Sequence, residues 1–432
     1  MLNRVMISEL AFPALLVGGA LAFEQLVAPS RVLFGQISDA HPLLHRYRTP
    51  YIWIGTALFC GLAVASIPLI FWLAGSIGIA SGGGPAPWLG VLALCGLFAA
   101  YGLAISMAST PYLALVIDLT DEDERPRAVG FIWCMLTVGI VIGAIAISMS
   151  LKELDGVSDP ALLQPVLQAF MGRVALVVLG LTLVSTLGIE PAAGAGLDST
   201  AQNRQEITLE RAWRVVTSSR QIFVFFAFLV LFTLGLFLQD PILESYGAEV
   251  FAMPISATTA LNALWGIGTL AGLLLAGLVI IPRIGKLATA RLGSQLILAS
   301  LLLLLLAGAV GQVPLLKVVM VLFGLAAGIG TNSALSLMLD LTLPQVAGTF
   351  VGVWGLAQAL SRAMGKLIGG GLLDLGRLLL PGEGAFPPFA LVLGVEALVM
   401  AGAIVVLGSV SVARFRDDTR HTFAEVMALD LD

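Results

Sequence analysis

Charged and amide side chains are scarce enough in this sequence that the few set inside apolar stretches stand out as the groups able to do chemistry. Glu24 and Gln25 lie midway through the first such stretch, Arg173 near the start of the fifth, Arg362 and Lys366 one helical turn apart in the tenth, and Glu396 in the last. An ionisable group at bilayer depth is costly, so each is read as a functional candidate. Glu24 has an obvious counter-charge in Arg362 or Lys366, and an ion pair or a proton-coupling role are both open to it. Asn262, Asn332 and Gln358 are neutral, and such amides more often join helices by hydrogen bonds than ligate metals. No nucleophile with a partnering base and no nucleotide motif is present, so the residues point away from an enzyme, and no set of ligands suits a free metal ion.

These groups must be positioned by elements that live in lipid. Of 432 residues, 58% are hydrophobic and 11% charged, with a mean hydropathy of +1.00. A soluble globular protein carries roughly 25% charged residues, so the apolar surface requires a bilayer as partner. The net charge of -5 leaves no basic face for nucleic acid. Cys60, Cys95 and Cys134 sit in apolar runs, outside any zinc or redox spacing, and read as packing residues. The opening MLNRVMISEL lacks the features of a signal peptide, so the first apolar segment is expected to remain in the mature protein.

Stretches of about 20 apolar residues number eleven and lie near 11–29, 51–74, 89–117, 129–150, 169–188, 221–239, 259–281, 292–310, 315–339, 350–372 and 389–408. Helices are the expected spanning form, because no alternating barrel pattern appears. Of the 22 Lys and Arg, fifteen fall in one set of loops and four, Arg4, Lys152, Lys317 and Arg377, in the other. Basic loops stay cytoplasmic, which puts the C-terminus in the cytoplasm and residue 1 outside. The expected organisation is an N-terminal bundle of five spans over 1–188, a cytoplasmic linker over 189–220 that includes an interfacial run around Trp213, a C-terminal bundle of six spans over 221–410, and a cytoplasmic tail over 411–432.

The two bundles carry traces of a common origin. Asp118-Leu119-Thr120 recurs as Asp340-Leu341-Thr342 at an offset of 222 residues, and Gly102, Ala104 and Gly130 match Gly324, Ala326 and Gly352 at that offset. Asp118 and Asp340 both fall where a span meets a cytoplasmic edge. Gly pairs at GxxxG spacing, Gly139/Gly143, Gly268/Gly272, Gly324/Gly328 and Gly365/Gly369, are expected to pack helices closely. The acidic and basic run from Asp121 to Arg127 reads as a solvated loop and SGGGPAPW from Ser81 as an outer turn.

Paired six-helix halves joined by a cytoplasmic linker resemble the layout of major facilitator transporters. The loop after the first span holds Arg31, Gly35, Ser38, Asp39, Arg46 and Arg48, similar to the loop between the second and third helices of that superfamily, where such residues govern movement of the halves. On that alignment the usual first helix is missing, residues 1 to 8 being only its outer end, and about eleven transmembrane helices remain.

The resemblance narrows further. LNRVMISEL, then VAPSRVLFGQISDAHPLLHRYRTPYIWIGT from Val27 to Thr56, then DLTDEDERPRAVGFIWCM from Asp118 to Met135, are similar to the PucC/LhaA group, the (bacterio)chlorophyll delivery branch of the superfamily. Arg31, Gly35, Ser38, Asp39, Arg46, Arg48, Pro50 and Tyr51 fit its long loop. The resemblance implies a photosynthetic bacterium, an inner or thylakoid-type membrane, chlorophyll or bacteriochlorophyll as a transient ligand, and photosystem or antenna proteins as partners. Glu24, Gln25, Asn262, Asn332, Gln358 and Glu396 are then candidate oxygen ligands for the pigment magnesium, a hard ion, with Arg362 and Lys366 as candidate coupling residues. His41, His45 and His421 lie in expected cytoplasmic segments, away from any pigment in the membrane. A conventional small-solute or proton-coupled transporter, and an assembly scaffold without pigment, are the alternative readings.

Overall fold

In lipid each backbone N–H and C=O must find its partner inside the chain, which a helix achieves alone, and every regular element described here is helical. The computed structural model describes residues 1–79, 87–120, 125–154, 160–190, 220–340, 347–382 and 384–411. The main helices are α1 Ala14–Leu26, α2 Ser30–Ala40, α3 Thr49–Ile79, α4 Pro87–Asp118, α5 Arg125–Ser150, α6 Pro160–Thr186, α7 Arg220–Phe237, α8 Leu243–Glu249, α9 Ile255–Leu275, α10 Lys286–Val310, α11 Val313–Asp340, α12 Ala347–Leu379 and α13 Phe386–Gly408. Each apolar stretch singled out in the sequence coincides with one of them. Seven, namely α3, α4, α6, α9 with its continuation to Ile284, α10, α11 and α13, have the length and hydropathy to cross a membrane, while α1, α5 and α7 supply shorter apolar helices. α12 falls in neither group because Arg362, Lys366, Asp374 and Arg377 interrupt it.

Three local departures from the sequence reading have clear causes. Gly35, Ser38 and Asp39, expected in a loop, stand on α2: Pro29 turns the chain after α1 without ending its helical character, and SRVLFGQISDA has apolar residues at helical spacing. Residues 2 to 9 form an α turn followed by a π turn, and Arg4, expected in an outer loop, is buried. Arg4 donates from Nη1 to Thr258 Oγ1 at 2.5 Å and faces Glu9 at 3.4 Å. Ser8 donates to Glu249 at 3.0 Å, and Asn3 to the Pro241 carbonyl at 3.0 Å. The third departure is α8, which follows α7 after a break at Leu238–Ile242.

Packing divides the chain into two units. The first comprises Met1–Arg204, Pro241–Thr259 and Lys366–Asp374, the second Gln205–Asp240, Ala260–Gly365 and Leu375–Asp432. Within the first, α3 packs on α4 and α6, and α1 packs on α4; within the second, α10 packs on α11 and α13, and α13 on α7. The first unit also contains a core of Val5, Ile67, Leu151, Leu163, Leu167, Phe170 and Ile255. In the second, buried Phe225, Phe228 and Phe232 line one face of α7 with centroid spacings of 6.1 and 5.5 Å.

Glycine sets the closest seams, and the same seams occur in each unit. A methyl group at Gly102 of α4 would strike the Glu24 carbonyl of α1; one at Gly324 of α11 would strike the Trp265 carbonyl of α9. On the other flank, a methyl at Gly55 of α3 would collide with the α4 backbone at Ala108, and one at Gly293 of α10 with the α11 backbone at Gly330. Ala108 and Gly330 stand at the 222-residue offset read from the sequence. That offset therefore relates positions with the same packing role in α4 and α11. Gly268, Gly272 and Gly328 interlock α9 with α11 in the same way, whereas a methyl at Gly139 or Gly143 of α5 meets no described atom within 4 Å. The latter pair does not seat a helix among the described residues, contrary to the expectation from its spacing.

Candidate functional site

The first polar group lies where α1 meets the middle of α12. Gly18 and Gly370 bring these backbones together, since a methyl at Gly18 would strike the Lys366 carbonyl and one at Gly370 the Ala14 carbonyl. Asp374 then accepts from the Ala14 and Leu15 amides at 2.9 and 2.7 Å. A carboxylate there satisfies orphan donors and complements the positive end of the helix dipole. Held by this seam, Lys366 Nζ stands 3.5 Å from Glu24 Oε2, with the side chains 13% and 25% exposed. Gln25 Nε2 donates to Glu24 Oε1 at 3.1 Å. Of the two counter-charges considered for Glu24, Lys366 is the one brought to it. Arg362 instead stacks its guanidinium 4.4 Å from the centroid of the Phe237 ring, a cation–π contact.

A second group lies in the stretch from Ser38 to Thr49. Arg48, buried, donates from Nε to Asp118 Oδ2 at 3.0 Å and from Nη1 to Ser38 Oγ at 2.7 Å, while Ser38 donates to the Gly35 carbonyl at 2.9 Å. One guanidinium thus joins α2, the start of α3 and the end of α4. Glu190, 3% exposed, accepts from the Tyr47 and Arg48 amides through Oε1 at 2.7 and 2.8 Å and from the Thr49 amide through Oε2 at 2.6 Å. Its charge sits at the N-terminus of α3, where the amides lack helical partners. Tyr51 Oη donates to the His41 carbonyl at 2.8 Å. The turn between the helices puts Leu44 and His45 at φ of 50° and 60°, and Arg46 closes it through backbone bonds with Leu43 at 2.9 Å.

The third group is in the second unit, at the end of α7. Glu396 on α13 is fully buried, and its Oε1 accepts from the Gln239 amide at 3.3 Å.

The remaining candidates are dispersed. Asn332 donates from Nδ2 to the Leu273 carbonyl at 2.8 Å, the helix-joining role expected of an intramembrane amide, beside the π turn Ala276–Ile280. Asn262 and Gln358 are half-buried, Arg31 and Arg173 exposed, as are His41 and His45. The side chains of Asp39, Cys134 and Asp340 lie outside the described residues, as do the side chains from Asp121 to Arg127, the turn from Ser81, the linker around Trp213, and His421 in the tail. Among the described residues no three His, Cys, Asp or Glu side chains gather as a metal site. Glu190, Asp374 and Gln239 were missed in the sequence. The Gln239-Asp240-Pro241 run is a turn signal that points to the α7 break. Nothing local marks Glu190 or Asp374, whose partners lie 141 to 143 and 359 to 360 residues away.

The two sets of helices with repeated seams and polar groups inside apolar helices are those of a multi-pass membrane protein with a major facilitator-like fold. A variant of the nucleoside transporter NupG superposes on this chain with a TM-score of 0.67, at 14% identity and with 94% of each chain covered. More narrowly, the chain belongs to the PUCC protein family, whose profile matches residues 1–415. It is 30% identical to Protein PucC of Rhodovulum sulfidophilum over 87% of this chain and 81% of that one. It is also 30% identical to the bacteriochlorophyll synthase 44.5 kDa chain of Rhodobacter capsulatus, over 96% and 91% of the two chains. The protein is accordingly a photosynthesis-related membrane protein.

Proposed function

We propose that this protein takes up a chlorophyll-type pigment transiently within the membrane and delivers it to, or assists the assembly of, light-harvesting or photosystem complexes. The observation that carries the reading is the Glu24–Gln25–Lys366 group. It is a set of polar side chains at membrane depth, partly open, held on a seam between α1 and α12 in a member of a family with relatives named for bacteriochlorophyll. Glu24 Oε1 and the Gln25 carbonyl oxygen are hard donors of the kind that suits a pigment magnesium. Loose ligation by one such oxygen suits a carrier that must let go. In this reading the part played is non-catalytic, and the synthase name belongs to the relative. Arg31, Gly35, Ser38, Asp39, Arg46 and Arg48 act as the conformational motif, with the Arg48–Ser38–Asp118 contacts holding one state. The membrane is the bacterial inner or photosynthetic membrane, with the C-terminus cytoplasmic.

The test is the visible spectrum of the full chain purified from its native photosynthetic membrane. A red-absorbing tetrapyrrole that co-elutes with the protein, and whose amount falls several-fold in Glu24→Gln, is the expected result. Colourless protein that drives gradient-dependent uptake of a small solute into liposomes would replace this reading with a conventional transporter. Pigment that tracks only co-purified photosystem subunits would replace it with a scaffold.

A further inference from the structure

The break between α7 and α8 presents an unusual balance of donors and acceptors. Glu396 Oε2 and Gln239 Oε1 are both buried, and neither meets a donor among the described residues. The residues that carry them are neighbours, because the Gln239 amide donates to the other Glu396 oxygen at 3.3 Å. The Gln239 side-chain nitrogen is directed to the Leu236 carbonyl at 3.4 Å, and the opposite amide orientation would set oxygen against oxygen there. Two buried acceptors on neighbouring residues, each lacking a donor, is an arrangement that costs free energy unless something supplies a hydrogen. A carboxylate cannot supply it, whereas a carboxylic acid is itself a donor.

We propose that Glu396 and Gln239 form a proton-binding site, in which the acid proton on Glu396 Oε2 is shared with Gln239 Oε1. One hydrogen satisfies both orphaned oxygens at once. A bare monovalent cation would need more oxygens than these two supply. The setting is that of a discontinuous helix, α7 ending at Phe237 and α8 beginning at Leu243, and interrupted helices are where transporters expose backbone to protons and ions. The charged groups on the elements packed against α13 and the α7 break are Arg220 on α7, Lys286 and Arg291 on α10, and, on α12, Arg377 and Arg362, whose guanidinium stacks on Phe237. Asp240 is exposed on the adjoining turn. It follows Gln239 directly and gives the proton a second carboxylate next along the chain. The site uses neither Glu24 nor Lys366 and does not rest on the pigment reading.

Infrared spectroscopy of the full chain in lipid nanodiscs tests this at neutral pH, with exchange into D2O. The expected result is a carbonyl band of an un-ionised carboxylic acid that shifts in D2O and vanishes in Glu396→Gln. In Gln239→Leu, which keeps the carboxyl but removes its acceptor, the band persists at higher wavenumber. Superposable wild-type and Glu396→Gln spectra in that region would overturn the proposal. So would carboxylate bands of Glu396 that respond to replacing choline chloride by sodium chloride, which would make the site one for a metal cation.

Discussion

Replacing Glu190 by Ala removes, in one step, the acceptor of three consecutive backbone amides at the start of α3. Tyr47, Arg48 and Thr49 donate to it at 2.6 to 2.8 Å, and the side chain is 3% exposed, so solvent has little access to replace it. A buried donor left unsatisfied costs about 1–3 kcal/mol, and loss of an anion at a helix N-terminus adds about 0.3–1 kcal/mol. With partial relaxation, Glu190→Ala should destabilise the protein by roughly 3–6 kcal/mol. Glu190→Gln separates the two contributions. Its single oxygen still serves two amides, but its NH2 faces the third, for a loss of about 1–3 kcal/mol. Thermal unfolding in nanodiscs, followed by circular dichroism, should rank the proteins as wild type, then Gln, then Ala, with the Ala variant clearly separated. Coincident unfolding of the Ala variant and wild type would refute the claim that this carboxylate holds α3 to the end of α6.

Two further predictions come from the seams. Gly324→Ala forces a methyl into the Trp265 carbonyl and should cost about 1–3 kcal/mol or more, as overpacking does, whereas Gly139→Ala, which meets no described atom, should be neutral or stabilising by about 0.4–1 kcal/mol; the same nanodisc melts compare them. Lys366→Met leaves the Glu24 carboxylate without its counter-charge and should destabilise by about 3–5 kcal/mol, while the double variant with Glu24→Gln should recover most of that loss. Equal stability of the single and double variants would show that the two groups do not interact.

Hydropathy made the helices legible because lipid imposes one requirement on every span, an apolar exterior of sufficient length. It also made Glu24, Lys366 and Glu396 visible, since a charge inside such a stretch is conspicuous. The partners were less accessible. Lys366 and Arg362 stand on the same helix, and only the seam at Gly18 and Gly370 decides which of them reaches Glu24. Ser38 and Arg48 were recognised as a motif, but their link to Asp118 runs through a third helix, and Asp118 had drawn attention for a different reason, its recurrence as Asp340. Glu190 and Asp374 illustrate the hardest case: a carboxylate that caps a remote helix has no local signature, because the amides it satisfies belong to any helix start.

The composition of α12 bears on how the chain is made. Arg362, Lys366 and Asp374 lie well inside it, and each charged residue near a span's centre opposes entry into the bilayer by about 2.5–3.5 kcal/mol. The helix is therefore a poor substrate for insertion by itself. So is α1, which is 13 residues long and carries Glu24. Each supplies what the other lacks, a lysine for the glutamate and an aspartate for the amides of the helix start. The insertion machinery must then keep an early segment and a late one from committing separately to lipid. Stable seating of α1 in the bilayer should therefore wait until α12 has emerged from the ribosome to meet it.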